Sequence, residues 1–137
     1  MRSNLKRLQD AKLVARRLIE IVVNTGDLGQ IAEFVAPSIA EEMTRHIEGV
    51  RLTYPDLNVT VGDQIAEGEM VVTRVTARAT HSTAYLGLTP TNKPIVIEGV
   101  NIDRIRKGKI IEHWGTANTL EALVSIGAFP SGFTPSR

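Results

Sequence analysis

The sequence predicts an α+β domain in which helices lean on a curved antiparallel sheet. Three observations predict it. Helix-period apolar spacing fills the stretch before Tyr54, strand-period alternation takes over after it until a short last helix, and neither an internal repeat nor a linker divides the 137 residues.

The elements follow in chain order. Leu8, Ala11, Ala15, Leu18 and Val22 recur at three- and four-residue steps, one face of an amphipathic helix. It ends near "NTGD", where Gly26 can take a left-handed cap. Asp27 with Gln30 resembles a capping box opening a short second helix, which Pro37 terminates. Ser38 with Glu41 repeats that signature for a third helix, with Met43, Ile47 and Val50 on its buried side. After "YPD", Leu57, Val59, Val61 and Ile65 alternate with polar residues as a strand does. Glu67 and Gly68 turn the chain into a second strand over 70–81. A loop rich in Gly, Thr and Pro follows over 82–94, and loops of that length are often functional rims. Strands over 95–106 and 109–116 meet at a tight turn, and Asn118 with Glu121 caps a last helix carrying Leu120, Leu123 and Val124. The domain core is expected over about 5–130, with a loose tail "FPSGFTPSR".

Composition narrows the function classes. Hydrophobic residues make up 42% and charged residues 23%, ordinary for a soluble globular chain. No apolar run approaches the roughly 20 residues of a membrane span. Arg2, Lys6, Arg7, Lys12, Arg16 and Arg17 make the N-terminus basic, but no apolar core or small-residue cleavage site accompanies them. The solvated face of a first helix accounts for them, and a cytoplasmic protein is expected. There is no cysteine, which removes disulfides, thiolate metal sites and a cysteine nucleophile. His46, His81 and His113 show no metal-ligand spacing, and no phosphate loop or nucleophile elbow occurs. No metal or cofactor is therefore expected. A net charge of +1 and 4% aromatic residues give no reason to expect a nucleic-acid partner.

The turn "RKGK" sets which side chains of the last hairpin are neighbours. A two-residue Lys107–Gly108 turn needs a positive φ at the lysine, whereas a glycine bulge at Gly108 puts it on glycine alone. The bulge is preferred, pairing Ile105 with Lys109, Val100 with Trp114, Ile102 with Glu112 and Arg104 with Ile110. One face then carries Val96, Glu98, Val100, Ile102, Arg104, Ile110, Glu112, Trp114 and, near its end, Asn118. The opposite face carries Asn101, Asp103, Ile111 and His113; without the bulge His113 and Trp114 exchange places.

Glu98, Arg104 and Glu112 on a mostly apolar face fit either a salt-bridge set at an edge or subunit interface, or a pocket with a few convergent polar groups. On the neighbouring strand Val71, Thr73, Val75, Ala77, Ala79 and His81 share a face. The small residues leave room beside His81, which at neutral pH can act as acid or base or can simply be hydrogen-bonded.

These segments resemble the SnoaL-like polyketide cyclases of the nuclear-transport-factor-2-like superfamily. The resemblance runs over about 18–130 and rests on "YPDL", "EGEMVVTRVTARATHSTAYLGLTPTNKP", "GVNIDRIRKGKIIEHW" and "LEALVSIGAFP" in that order. It implies a cone-shaped α+β barrel, a curved antiparallel sheet with N-terminal helices closing one end over a deep apolar pocket. In the cyclases it implies a cofactor-free, metal-free intramolecular aldol condensation that closes the last ring of an aromatic polyketide ester. The family's acid/base is an aspartate four residues after the strand tryptophan, and here that position is Asn118. An amide exchanges no proton near pH 7, but it can donate a hydrogen bond to an enolate oxygen, and it caps a helix as well as aspartate does.

The expectation is a small cofactor-independent enzyme acting on a hydrophobic cyclic or polyketide-like molecule. His81 is its acid/base, with Glu98 or Glu112 behind it, and Asn118 orients an oxygen. Trp114, Val100 and Ile102 form an apolar wall, Arg104 holds a carboxylate or balances the glutamates, and Tyr54 and Tyr85 also touch ligand. A non-catalytic binding protein of the same fold is the alternative, as is a hydroxylase-like or epoxide-opening relative. An exposed apolar sheet face implies a homodimer.

Overall fold

The computed structural model describes residues 2–129, and the expected loose tail lies outside the described residues from Pro130 onward. Helix α1 (Arg2–Arg17) continues directly into a π-helical turn (Leu18–Val23). The looser turn moves the buried stripe, so that Ile19 joins Leu18 and Val22 in the interior. Gly26 ends the segment at φ +77°, and the Asn24 side chain then acts as a strand would. It donates to the Val59 carbonyl (2.9 Å) and accepts from the Val59 N–H (2.7 Å).

The next two helices begin differently from their sequence signals. Residues Leu28–Glu33 form a 3₁₀ helix, and Asp27 accepts from the Gln30 amide (2.6 Å) and caps no backbone group. Helix α2 (Pro37–Thr53) takes Pro37 as its first residue, with Ala36 extended at the N-cap. A proline there gives up only an N–H that has no helical partner, so it opens this helix more readily than a Ser38 cap would. Met43 and Ile47 are buried as expected.

Strands β1 (Asn58–Glu67), β2 (Met70–Thr80), β3 (Pro94–Arg106) and β4 (Lys109–Ala117) form one antiparallel sheet in sequential order, followed by helix α3 (Thr119–Ser125). Two bulges correct the alternation read from the sequence. The first, between Val61 and Gln64, turns Gln64 inward and leaves Ile65 68% exposed. The Gln64 amide then reaches the Lys12 carbonyl (2.9 Å) and Thr73 Oγ1 (3.2 Å).

The second corrects the hairpin register. Lys107 and Gly108 both adopt positive φ (51° and 75°), a two-residue turn with Arg106 opposite Lys109. A bulge follows at once, after which Arg104 faces Glu112, Ile102 faces Trp114 and Val100 faces Thr116. The primed turn matches the strand twist, and that gain outweighs the roughly 1–2 kcal/mol of a left-handed lysine. The bulge also carries Ile110 to the inner face, where it is fully buried, instead of the outer one.

Two apolar clusters fill the concave side. Ala11, Ala15, Leu18, Val22, Phe34, Met43, Ile47, Val71, Ile105 and Ile110 close the end nearest the hairpin turn. Tyr54, Leu57, Ile95, Ala122 and Leu123 close the other, with Ala77, Ala79, Tyr85 and Ile97 packed against them. A polar belt lies between the two on the inner face.

Candidate functional site

On β3 the inward positions are Ile95, Ile97, Gly99, Asn101, Asp103 and Ile105, and on β2 they are the odd residues from Val71 to Ala79. Strand β4 contributes His113 opposite Asp103 and Gly115 opposite Asn101. Apolar residues occupy both ends of this surface, so Thr73, Asn101, Asp103 and His113 meet in the middle.

Asp103 is 3% exposed, yet it is partnered: His113 Nδ1–H donates to Asp103 Oδ1 across 2.6 Å. A carboxylate only accepts, so this contact fixes the neutral imidazole's proton on Nδ1 and leaves a lone pair on Nε2. Nε2 points along the strand toward Gly115, where an added Cβ would lie 3.5 Å from it and 3.1 Å from Asn101 Oδ1. Glycine at 115 thus keeps the approach to both polar atoms open. From α2, the His46 ring faces His113 at 6.4 Å between centroids. Desolvation of His46, and after it the His113 ring, hold its pKa below the usual imidazole value, against an opposing pull from Glu42.

The other candidate residues separate into three places. His81 ends the inner row of β2 and is fully buried; its Nδ1 accepts the Thr91 N–H (3.1 Å) and also meets Thr91 Oγ1 (3.1 Å). Tyr54 and Tyr85 lie in the apolar cluster at that same end. On the outer face, Val100, Ile102 and Trp114 line up with Glu98, Arg104 and Glu112, and Trp114 is 49% exposed. Arg104 pairs there with Glu112 (3.2 Å) and Glu69 (3.5 Å). Asn118 occupies the N-cap position of α3, but its Oδ1 accepts the Glu98 N–H (2.9 Å) and its own N–H donates to the Glu98 carbonyl (2.9 Å). It extends the β3–β4 ladder by one residue. Trp114 and His81 therefore stand on opposite faces of the sheet.

Sequence reasoning misses Asp103, His113, Asn101 and His46 as site residues, although it puts Asn101, Asp103 and His113 on one face. The signal was available: Asp103 sits at an inward position between Asn101 and Ile105, where an unpartnered carboxylate would be costly. Two surface depressions of about 310 Å³ each lie elsewhere, one beside Leu13 and Phe34 and one beside Leu28 and Leu52. Among the described residues no helix is long and apolar enough to cross a membrane.

Comparison with solved structures gives the same architecture. IdmH from Streptomyces antibioticus, a candidate polyketide cyclase, is similar at 28% identity and a TM-score of 0.76, over 85% of this chain and 98% of that one. AclR from Streptomyces galilaeus, a candidate hydroxylase, is 28% identical with a TM-score of 0.77, over 90% and 89% of the two chains. TsrD from Streptomyces laurentii, at 21% identity and a TM-score of 0.78 over 88% and 97%, shares the fold. No match was found among curated proteins. Residues 12–125 match the model of the SnoaL-like polyketide cyclases, and the chain belongs to that family.

Proposed function

We propose that this protein is a cofactor-independent acid–base enzyme acting on a hydrophobic, polyketide-like small molecule, with His113 as the proton carrier and Asp103 positioning it. The observation that carries the reading is the 2.6 Å Asp103–His113 contact on the concave face. A buried carboxylate holds one ring nitrogen, and the other is left as a base toward the open side at Gly115. His113 Nε2 would take a proton from carbon alpha to a substrate carbonyl, giving an enolate, and return it after bond formation or double-bond migration. Asn101, whose Oδ1 borders the same open position at Gly115, can orient a substrate hydroxyl.

On the family resemblance Asn118 would take the place of the cyclases' acidic residue, and its amide oxygen accepts from the Glu98 N–H. It cannot carry a proton. We therefore assign the proton transfer to His113, and to Asn118 the role of holding the strand ends beside it.

The test is turnover of a planar tricyclic polyketide ester. His113→Ala is expected to lower kcat by roughly 10²–10⁴-fold. Asp103→Asn should lower kcat while leaving binding nearly intact, because the amide can still accept from Nδ1–H but no longer carries the negative charge that stabilises the ring once it has taken the proton. Binding without turnover, unchanged by either substitution, would instead favour the non-catalytic binding protein.

The reading includes a homodimer. Val72, Ile102 and Trp114 are directly paired across three strands on the outer face, and the latter two are 36% and 49% exposed. A contiguous apolar row on an antiparallel sheet suits the same row of a second copy.

A further inference from the structure

At the end of the concave face away from the hairpin turn, two buried side chains each hold a polar atom without a partner. His81 is fully buried and Tyr54 is 7% exposed. Neither His81 Nε2 nor Tyr54 Oη has a hydrogen-bond partner among the described residues. Both belong to one neighbourhood. Asp56, two residues after Tyr54, accepts from Thr80 N–H (2.9 Å) and Thr80 Oγ1 (2.7 Å), which ties the end of α2 to the residue before His81. Tyr54 packs in the cluster that holds Ala77 and Ala79, the inward residues leading up to His81.

The hydrogen-bond polarity is the same for both. The Thr91 N–H donates to His81 Nδ1, so that nitrogen offers its lone pair and the neutral ring carries its proton on Nε2. Tyr54 presents a phenolic O–H, and burial, with Tyr85 beside it, raises its pKa and keeps that proton in place. Two donors thus stand in an apolar setting with nothing to accept from them. Leaving a buried donor unmet costs free energy that native interiors avoid, unless the group serves something that arrives later.

We propose that Tyr54 Oη and His81 Nε2 form an acceptor-oxygen subsite that holds a carbonyl or quinone oxygen of a planar aromatic ligand. The small side chains of Ala77 and Ala79 give the ring system its apolar floor. The inference deepens the proposed function, on which it rests for the existence of a ligand. It makes His81 a hydrogen-bond donor to ligand, with proton transfer left to His113. No bond is made or broken at this subsite; it selects for an oxygen at one end of the molecule.

The experiment compares two probes that differ in that oxygen, anthraquinone and anthracene, binding to the full chain by calorimetry in matched cosolvent. The wild type is expected to bind the quinone tighter. Tyr54→Phe and His81→Asn should each weaken quinone binding by roughly 3- to 10-fold and leave anthracene unchanged. Asparagine at 81 keeps an acceptor for the Thr91 N–H while removing the donor. Because the Tyr54 hydroxyl is unmet in the empty protein, Tyr54→Phe should hold or raise the unfolding midpoint, so that lost affinity cannot be lost folding. Equal affinity for both probes, insensitive to the two substitutions, overturns the subsite and leaves the His113 reading standing. A lowered midpoint in Tyr54→Phe also overturns it, since the hydroxyl would then already have a partner, a trapped water for instance. Binding of neither probe, with no turnover, removes the ligand pocket itself.

Discussion

Single residues in this chain do work that their type alone does not announce. Glu69 receives Arg106 Nε and a second guanidinium nitrogen at 2.8 and 2.9 Å, with Arg104 at 3.5 Å. The Arg106 hydrogen bonds are the main cause of a carboxyl pKa lowered to about 2. A depressed carboxyl contributes stability that is fully present above its unfolded value near 4.5 and is lost as pH falls toward 2. Glu69→Gln should therefore be less stable than wild type at pH 6, with the gap closing below pH 4.5 and gone near pH 2. Denaturant midpoints at several pH values check this, and a gap independent of pH would refute it. The residue is only partly buried, so the effect should also shrink in high salt. His46 also costs stability as pH falls, but from a different cause, because desolvation and His113 disfavour its charged form. Its penalty on the folded state grows as pH drops below the ordinary imidazole range, and it vanishes above it.

At the scale of elements, two bulges and one turn decide which residues meet. The Lys107–Gly108 turn was legible as a turn but not as a primed one. The sequence shows lysine where asparagine would fit better, and only the strand twist gives the reason to tolerate it. Lys107→Asn is expected to stabilise the protein by up to about 1 kcal/mol, since asparagine occupies the left-handed region at lower cost. A thermal midpoint that falls on substitution would mean that the Lys107 side chain has a role of its own. The bulge next to it moved Ile110 inward and brought His113 opposite Asp103. The first sheet bulge did the same for Gln64 and Ile65. Period-two reading carries no information about an extra residue in one strand, so both displacements were invisible until the pairing was known.

For the whole molecule, the sheet separates two kinds of surface. Its concave side holds the Asp103–His113 pair and, farther along, Tyr54 and His81; its convex side holds Trp114, Ile102 and the Arg104–Glu112 bridge. The proposed homodimer belongs to the convex side. Sedimentation should find a dimer that Ile102→Glu converts to a monomer of unchanged helical content. A wild type that stays monomeric at all concentrations would sink the idea. Trp114, half-exposed on that face, then reports on assembly more directly than on ligand, and its emission should shift to the red on dissociation.

The sequence by itself determined the class of the fold, the order of its elements and the family. Each follows from local information: helical spacing before Tyr54, alternation after it, and short segments in a fixed order. It also determined that Asn118 cannot shuttle a proton, a matter of functional-group chemistry alone. The tertiary structure decided which face each strand residue takes. The sequence puts Trp114 in a pocket wall, but an aromatic side chain satisfies an outer apolar row as well as an inner wall. Asp103, His113 and His46 come from three segments, and their proximity depends on hairpin register and on how α2 lies over the sheet. His46 and His113 lie far apart in the chain, while Asp103 and His113, on adjacent strands of one hairpin, meet only in a register that period-two spacing leaves open.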